Sequence, residues 1–428
     1  MTNNNIESSA YLSGWKRAAF LTTLVLVSIF SQVDRILPFI LGESIKKELG
    51  LSDTQLGLIT GLAFAVCYSL AALPLARISD RGGAGKVLVW CVVVWSAMTG
   101  LAGLASGFLM LSLLRVGVAL GEAGGTPASH ALIVQKIPAS FRGRAIGLFS
   151  MGIPLGTMLG FALGGWAGDR IGWRNTFMAA GALGLGIALL VTMLLAKRSN
   201  GQLLNRARME GFIAPARNLL KKPAFLWLFI SANLVGFASA PFYVFTSPFL
   251  IRTYGLSTSE VGLKFGLLQG LMGIVATLVG GRLFDIAVAN NSVKIIHQPA
   301  IVFMVAAVCT TTALFMPSAN LAIALLVPGM FSFAFAQPFA FGVGHLIAGT
   351  GKQAFSSSML LLGTSLVGPA LAPLLVGLIS DYATGANIEN GLRWGLLIGP
   401  VASILCALAC FQVSKKMSPR QHLHLITL

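Results

Sequence analysis

Twelve apolar stretches, each close to the roughly 20 residues a helix needs to cross the hydrocarbon of a bilayer, occupy most of this chain. They fall near 17–41, 53–76, 86–106, 108–135, 143–168, 174–196, 224–249, 260–281, 299–316, 319–349, 354–380 and 392–413. No water is available at that depth to satisfy peptide groups, so only helices or a closed barrel can span it, and runs of this length select helices. The 428 residues are 56% hydrophobic and only 10% charged, a balance foreign to soluble domains of this size. The expected fold is therefore an all-α membrane protein with twelve transmembrane helices.

The basic residues set the expected orientation. The net charge of +17 would suggest a nucleic-acid partner in a soluble chain, but here the cations sit in short gaps between apolar runs, and no nucleic-acid partner is expected. With the N-terminus inside, 21 of the 30 basic residues face the cytoplasm: Lys16, Arg17, Arg77, Arg81, Lys86, Lys136, Arg142, Arg144, seven in the interval 197–223, and Arg282, Lys294, Lys352, Lys415, Lys416 and Arg420. That bias predicts cytoplasmic N- and C-termini and an even number of crossings. Lys16 and Arg17 before an apolar run imitate a signal peptide, but the run is too long and no small-residue cleavage site follows, so it reads as the first membrane helix. The five cysteines lie inside apolar runs without metal-ligand or disulfide spacing.

The longest polar interval divides six helices from six. It carries Lys197, Arg198, Arg206, Arg208, Arg217, Lys221 and Lys222. The expected organisation is an N-terminal bundle over 1–196, a basic cytoplasmic linker over 197–223, a C-terminal bundle over 224–413 and a cytoplasmic tail over 414–428. The halves echo each other: ARISDRGGAGK after the second span answers to GGRLFDIA after the eighth, pairing Asp80 with Asp285, and GGWAGDRIG after the fifth answers to VGLISDYATG after the eleventh, pairing Asp169 with Asp381. Duplicated units of this kind place a substrate site near the midplane between them.

Asp34 and Glu122 are the only acidic residues of thirteen inside stretches long enough to cross the bilayer. Ionised groups at that depth are costly unless they face a wet cavity or a partner, and they usually mark a pathway for ions, protons or substrate. Asp34 is followed by Arg35, and Glu122 lies seven residues after Arg115. By helical rise, Asp34 and Arg115 sit at similar depth, about 10 Å from the outer helix ends, with Glu122 about 10 Å further in on nearly the same face as Arg115. The three form an expected ladder. A carboxylate there can change protonation with access of water and of the guanidinium, and Arg115 is the expected anion site because arginine stays charged and can grip a phosphate or carboxylate with two N–H groups. The competing reading makes Asp34 and Arg35 a structural pair between helices.

The run ARISDRGGAGK resembles the loop motif of the major facilitator superfamily, with Ala84 and Gly85 in place of the usual basic pair and Lys86 one place late. The first half as a whole, with VDR in the first helix, LSDTQLGLITGLAFAVCYSLAALPLARISDR, LLRVGVALGEAGGTPA and FRGRAIGLFSMGIPLG, resembles the Spinster family, whose animal members handle lysophospholipids and sphingolipid signals. Ala119 stands where that family has glycine. The resemblance covers about residues 20 to 175; the second half matches in helix count and partial repeat motifs. It implies two pseudo-symmetric six-helix bundles, with helices one and four lining the central cavity, and alternating access. It also implies gating by Asp80, Arg81 and Asp285 at the cytoplasmic helix ends, where the alternative for Asp80 is an electrostatic cap on the next helix.

The expected function is a secondary active transporter, coupled to protons through Asp34 and Glu122. Its expected substrate is an amphiphile with an anionic or zwitterionic head, such as a lysolipid or sphingolipid-like molecule, bound by Arg35, Arg115, Tyr243 and Gln337. A small organic anion or a drug is the alternative cargo, and a non-transporting receptor or lipid scaffold the alternative class. Aromatic residues of helices seven and ten are candidates for an apolar tail pocket, and Pro241, Pro248 and Gln337-Pro338 mark breaks suited to gating. His130 and His345 are lone histidines near helix ends, more in keeping with satisfied hydrogen-bonders than relays. No GxxxxGK[ST], HExxH or GxSxG motif occurs, which excludes an ATP-driven pump and argues against an enzyme. No cofactor or metal is expected, and the partners are the substrate, protons and membrane lipids, with the chain a monomer in the bacterial inner membrane.

Overall fold

The structure, a computed structural model, describes residues 11–12, 14–195, 213–290, 295–349 and 352–417. Lys197, Arg198, Arg206 and Arg208 of the expected linker, together with Lys294 and Arg420, lie outside the described residues. Among the described residues ten helical runs are long and apolar enough to cross a membrane, and two of them, Asp53–Ala102 with 50 residues and Ala139–Leu195 with 57, are long enough to cross twice. Each is turned by a glycine with positive φ, Gly82 at 91° and Gly172 at 79°, where a side chain would be strained. The architecture is thus consistent with twelve crossings: α1 (Gly14–Ile40), α2 (53–78), α3 (Ala84–Ala102), α4 (Phe108–Lys136), α5 (139–171), α6 (173–195), α7 (Pro223–Tyr254), α8 (Thr258–Ala289), α9 (His297–Leu314), α10 (Ala319–Ala348), α11 (Phe355–Gly385) and α12 (Gly391–Lys416). A short helix, Gly42–Leu49, lies between α1 and α2, and another, Ile213–Leu220, leads into α7.

Helices α1–α6 pack chiefly on one another, as do α7–α12. Small residues permit the closest approaches. Gly152, Gly156, Gly160 and Gly164 form a stripe on α5 that lies against α1; a Cβ at Gly160 would stand 2.9 Å from the Ile36 Cβ. Without a hydrophobic driving force between helices in lipid, such close backbone packing carries much of the association. Large apolar side chains such as Leu70, Trp90, Leu183, Leu278 and Val308 are left exposed on the outer surface, as a lipid-facing wall requires.

Among the described residues the two halves pack on each other chiefly at one end. There α2 packs on α11, α5 on α8, and α1 with its following short helix on α7, and one apolar core runs continuously across both halves through Ile36, Ile59, Phe161, Phe245 and Phe265. A second core, from Phe20 and Leu24 to Val118, Phe149 and Val191, belongs to the first half alone. At the opposite end, which carries the starts of α1, α5 and α7 and the end of α12, the segments Ser79–Gly83, Ala139–Ser150 and Gln353–Leu362 pack chiefly within their own halves. The molecule is sealed at one end and parted at the other.

Candidate functional site

Glu122 is the last residue of the first helical segment of α4 and its side chain is fully buried. Its partner is Arg35: Nε and Nη2 both donate to Glu122 Oε2, at 2.9 and 2.7 Å, while Oε1 makes no hydrogen bond. Arg115, 1% exposed, reaches across to α1 and donates from Nη1 to the Asp34 backbone carbonyl at a long 3.5 Å; its Nε and Nη2 have no partner. Asp34 is buried beside it with Oδ1 unpartnered. The expected ladder is therefore corrected. Arg115 makes no ion pair with either carboxylate, and the cation that holds Glu122 is Arg35. Successive residues of a helix point about 100° apart, so Asp34 turns into the packed interior while Arg35 swings towards α4, and its long stem covers the axial offset that the rise argument placed between them.

Two aromatic rings on α2 complete the cluster. The guanidinium carbons of Arg35 and Arg115 each lie 5.0 Å from the Phe64 ring centroid, and that of Arg35 lies 4.9 Å from Tyr68. An aromatic ring close to both cations offsets part of their mutual repulsion. Neither Phe64 nor Tyr68 stands out in the sequence; both sit on α2 one turn apart, a spacing that places them on one face. The side chain of Arg35 remains 31% exposed, the one member of the charged quartet with access to solvent.

The second half contributes polar groups separately. Gln269 on α8 donates from Nε2 to the Tyr243 hydroxyl at 3.0 Å and keeps a buried, unpartnered Oε1. Gln337 lines a narrow apolar cleft with Val235, Phe303, Phe333, Phe341 and Cys406. No hydrogen bond or ring contact among the described residues joins Tyr243 or Gln337 to the Arg35 cluster. His130 packs edge-on against Phe149, and His345 Nε2 is 2.7 Å from the Ser357 hydroxyl, a hydrogen-bonded role.

Asp80, Arg81 and Asp285 are exposed at the parted end, and none makes an ion pair among the described residues. The charged contacts between halves stand instead at the sealed end. Arg252 on α7 donates to both oxygens of Asp53 on α2, at 2.8 and 2.7 Å, and from Nε to Glu43 at 2.6 Å. Lys46 and the Ser380 hydroxyl each reach Asp53 at 2.6 Å. Asp381 accepts from the amides of Asp53 and Thr54, both at 2.9 Å, and Asp169 accepts from the Ser259 amide at 2.7 Å. Each half thus places a carboxylate at a helix start of the other, where free amides and the helix dipole favour negative charge.

A repeat that the sequence carries explains this symmetry. LSDTQLGLITG at 51–61 and LSTSEVGLKFG at 256–266 start α2 and α8, each with a serine whose side chain and whose third neighbour's side chain cap the helix reciprocally. The glycines serve the same contact twice: a Cβ at Gly57 would strike the Pro373 carbonyl and one at Gly262 the Phe161 carbonyl. Aligning the two segments reveals the sealed face from sequence.

The sequence model of the Major Facilitator Superfamily matches residues 23–366. The chain belongs to that superfamily. Its members are transporters, so this is a membrane transport protein and no enzyme. The chain is 31% identical over 408 residues to an MFS-type efflux pump of Mycolicibacterium smegmatis, covering 93% of this chain and 92% of the pump. It is similar to the crystal structure of a bacterial homologue of the human lysosomal transporter Spinster, inward-facing and unoccupied, with a TM-score of 0.85, 26% identity, and coverage of 95% of this chain and 100% of that one. The D-xylose–proton symporter shares the superfamily fold at 15% identity, with a TM-score of 0.74 over 94% of this chain and 99% of that one.

Proposed function

We propose that this transporter carries an amphiphile with an anionic or zwitterionic head by alternating access, using Arg35 as the head-group cation and Glu122 as the proton-coupled competitor for it. The observation that carries this reading is the Arg35–Glu122 pair itself: a partly exposed arginine with two of its N–H groups spent on one oxygen of a buried carboxylate. An anionic head and the Glu122 carboxylate compete for the same fork. Protonating Glu122 withdraws its charge and frees the fork, so binding of proton and anion reinforce one another. Asp34, buried nearby with an unpartnered oxygen, is the second carboxylate of the couple, and Arg115 adds positive potential with two N–H groups unspent.

The similarity to a Spinster homologue and the cleft beside Gln337 support an amphiphile over a fully polar cargo. The cleft has only about 40 Å³ of free volume, so an entering tail must widen it. Tyr243 with Gln269 offers a polar contact on the same side of the molecule. The bias of basic residues supports cytoplasmic termini; on that reading the parted end faces inward, and Asp80, Arg81 and Asp285 are gate residues without an ion pair in this state. Counterflow of a labelled lysophospholipid in proteoliposomes tests the reading: wild-type protein accumulates label against unlabelled internal lysophospholipid, and Arg35→Gln abolishes it. Equal accumulation by both proteins, or none by wild type alongside vigorous counterflow of a small organic anion, overturns the amphiphile assignment.

A further inference from the structure

We propose that the groove between α1 and α5 at the parted end is a binding site for an anionic glycerophospholipid of the surrounding membrane. The groove has a volume of about 510 Å³, within the range of about 300–1,000 Å³ in which proteins hold small ligands. Leu21, Val25 and Leu26 of α1 and Ala145 and Leu148 of α5 give it apolar walls. Its mouth is charged. Arg17 and Arg144, from the two different helices, stack on the single ring of Phe141, with guanidinium carbons 4.4 and 5.5 Å from the centroid.

Two like charges drawn to one ring repel each other unless an anion joins them, and these arginines have no ion-pair partner among the described residues. Within the two helices that form the groove no carboxylate is near: none occurs between Glu122 and Asp169, and from Gly14 along α1 the first is Asp34, five turns away. The rim stands where α1 and α5 begin, at the level where an apolar wall gives way to polar chain. A phosphodiester set between Arg17 and Arg144 would gain charge-assisted hydrogen bonds from both, and one acyl chain would continue into the groove below. Basic pockets between transmembrane helices select anionic head groups by this geometry. The site is apart from Arg35 and Glu122, and its occupation does not depend on the transported cargo.

Native mass spectrometry and thermal melting of the delipidated full chain test the proposal, with phosphatidylglycerol and phosphatidylcholine as probes. Wild-type protein should retain one phosphatidylglycerol at collision energies that strip phosphatidylcholine, and phosphatidylglycerol should raise its melting temperature further than phosphatidylcholine does. In Arg17→Gln/Arg144→Gln the retained lipid and the extra rise should both disappear, while the lipid-free melting temperature holds. Lys16→Gln/Arg77→Gln removes the same charge from exposed positions of the same end outside the groove and should change neither readout. Retention by the Arg17/Arg144 variant, equal loss in the Lys16/Arg77 variant, or an equal rise with phosphatidylcholine would overturn the site.

Discussion

Replacing Arg252 with glutamine should tip the conformational balance of the transporter away from the sealed arrangement. Arg252 belongs to the second half and both of its carboxylate partners, Asp53 and Glu43, to the first, so its three hydrogen bonds exist only while the halves touch at this end. The Lys46–Asp53 and Lys47–Glu43 pairs lie within the first half and survive either way. Removing one partner of a buried pair costs about 3–5 kcal/mol. Here Arg252 keeps 22% exposure and Lys46 still neutralises part of the Asp53 charge, which reduces the loss to about 2–3 kcal/mol, the scale of one or two charge-assisted hydrogen bonds. At 1.4 kcal/mol per factor of ten, the ratio of sealed to separated molecules should fall by about 30- to 150-fold. Spin labels at Leu104→Cys and Glu389→Cys, exposed on opposite halves near the sealed end and outside the cluster, report this as a longer distance population in double electron–electron resonance. An unchanged distance distribution in a well-folded Arg252→Gln protein would refute the argument that this cluster holds the two halves together.

Three further outcomes follow from the geometry. Gly262→Val drives a side chain into the Phe161 carbonyl, a backbone atom with nowhere to go, and should destabilise the sealed state by about 1–3 kcal/mol, read with the same label pair. Arg35→Lys keeps the charge but loses the planar fork, so the affinity for an anionic amphiphile, measured by isothermal calorimetry, should weaken by about 1–3 kcal/mol while Arg35→Gln loses binding. Glu48, between α1 and α2, accepts from Arg174 Nε at 2.7 Å and from the Trp173 indole at 2.6 Å, and these bonds hold its carboxyl below the usual range. A depressed carboxylate contributes stability above its unfolded value that is lost as pH falls through its folded one, so Glu48→Gln should flatten the acid limb of a melting-temperature profile below about pH 4.3 and leave neutral pH little changed.

The membrane class, the all-α fold and most helix positions were legible because apolar runs of spanning length leave the backbone one solution, and the expected twelve crossings are consistent with the ten long runs. The expected segments 17–41, 319–349 and 392–413 fall within a few residues of α1, α10 and α12. The charged residues of the site were legible for the same reason, since Asp34, Arg35, Arg115 and Glu122 stand alone among apolar neighbours. Their pairing was not. Helical rise gives depth and leaves out side-chain reach, and the Arg35 side chain is long enough to cancel the offset that seemed to assign Glu122 to Arg115. Phe64 and Tyr68 look like ordinary packing until two guanidinium groups lie on them. The sealed end was readable in principle: LSDTQLGLITG and LSTSEVGLKFG lie 205 residues apart, the same interval that separates Asp80 from Asp285. Arg252 could not be assigned this way, because its partners come from the short helix and the start of α2, brought to α7 only by the closure of the two halves.

Proton coupling through Glu122 is the central claim, and an imposed pH gradient addresses it most directly. Proteoliposomes with labelled lysophospholipid outside and a preset internal pH compare wild type with Glu122→Gln, which keeps the size of the side chain and removes its titration. Wild-type protein should concentrate label when the gradient favours proton entry, whereas Glu122→Gln should equilibrate label by counterflow and ignore the gradient. Gradient-driven concentration by Glu122→Gln at the wild-type level would contradict the account.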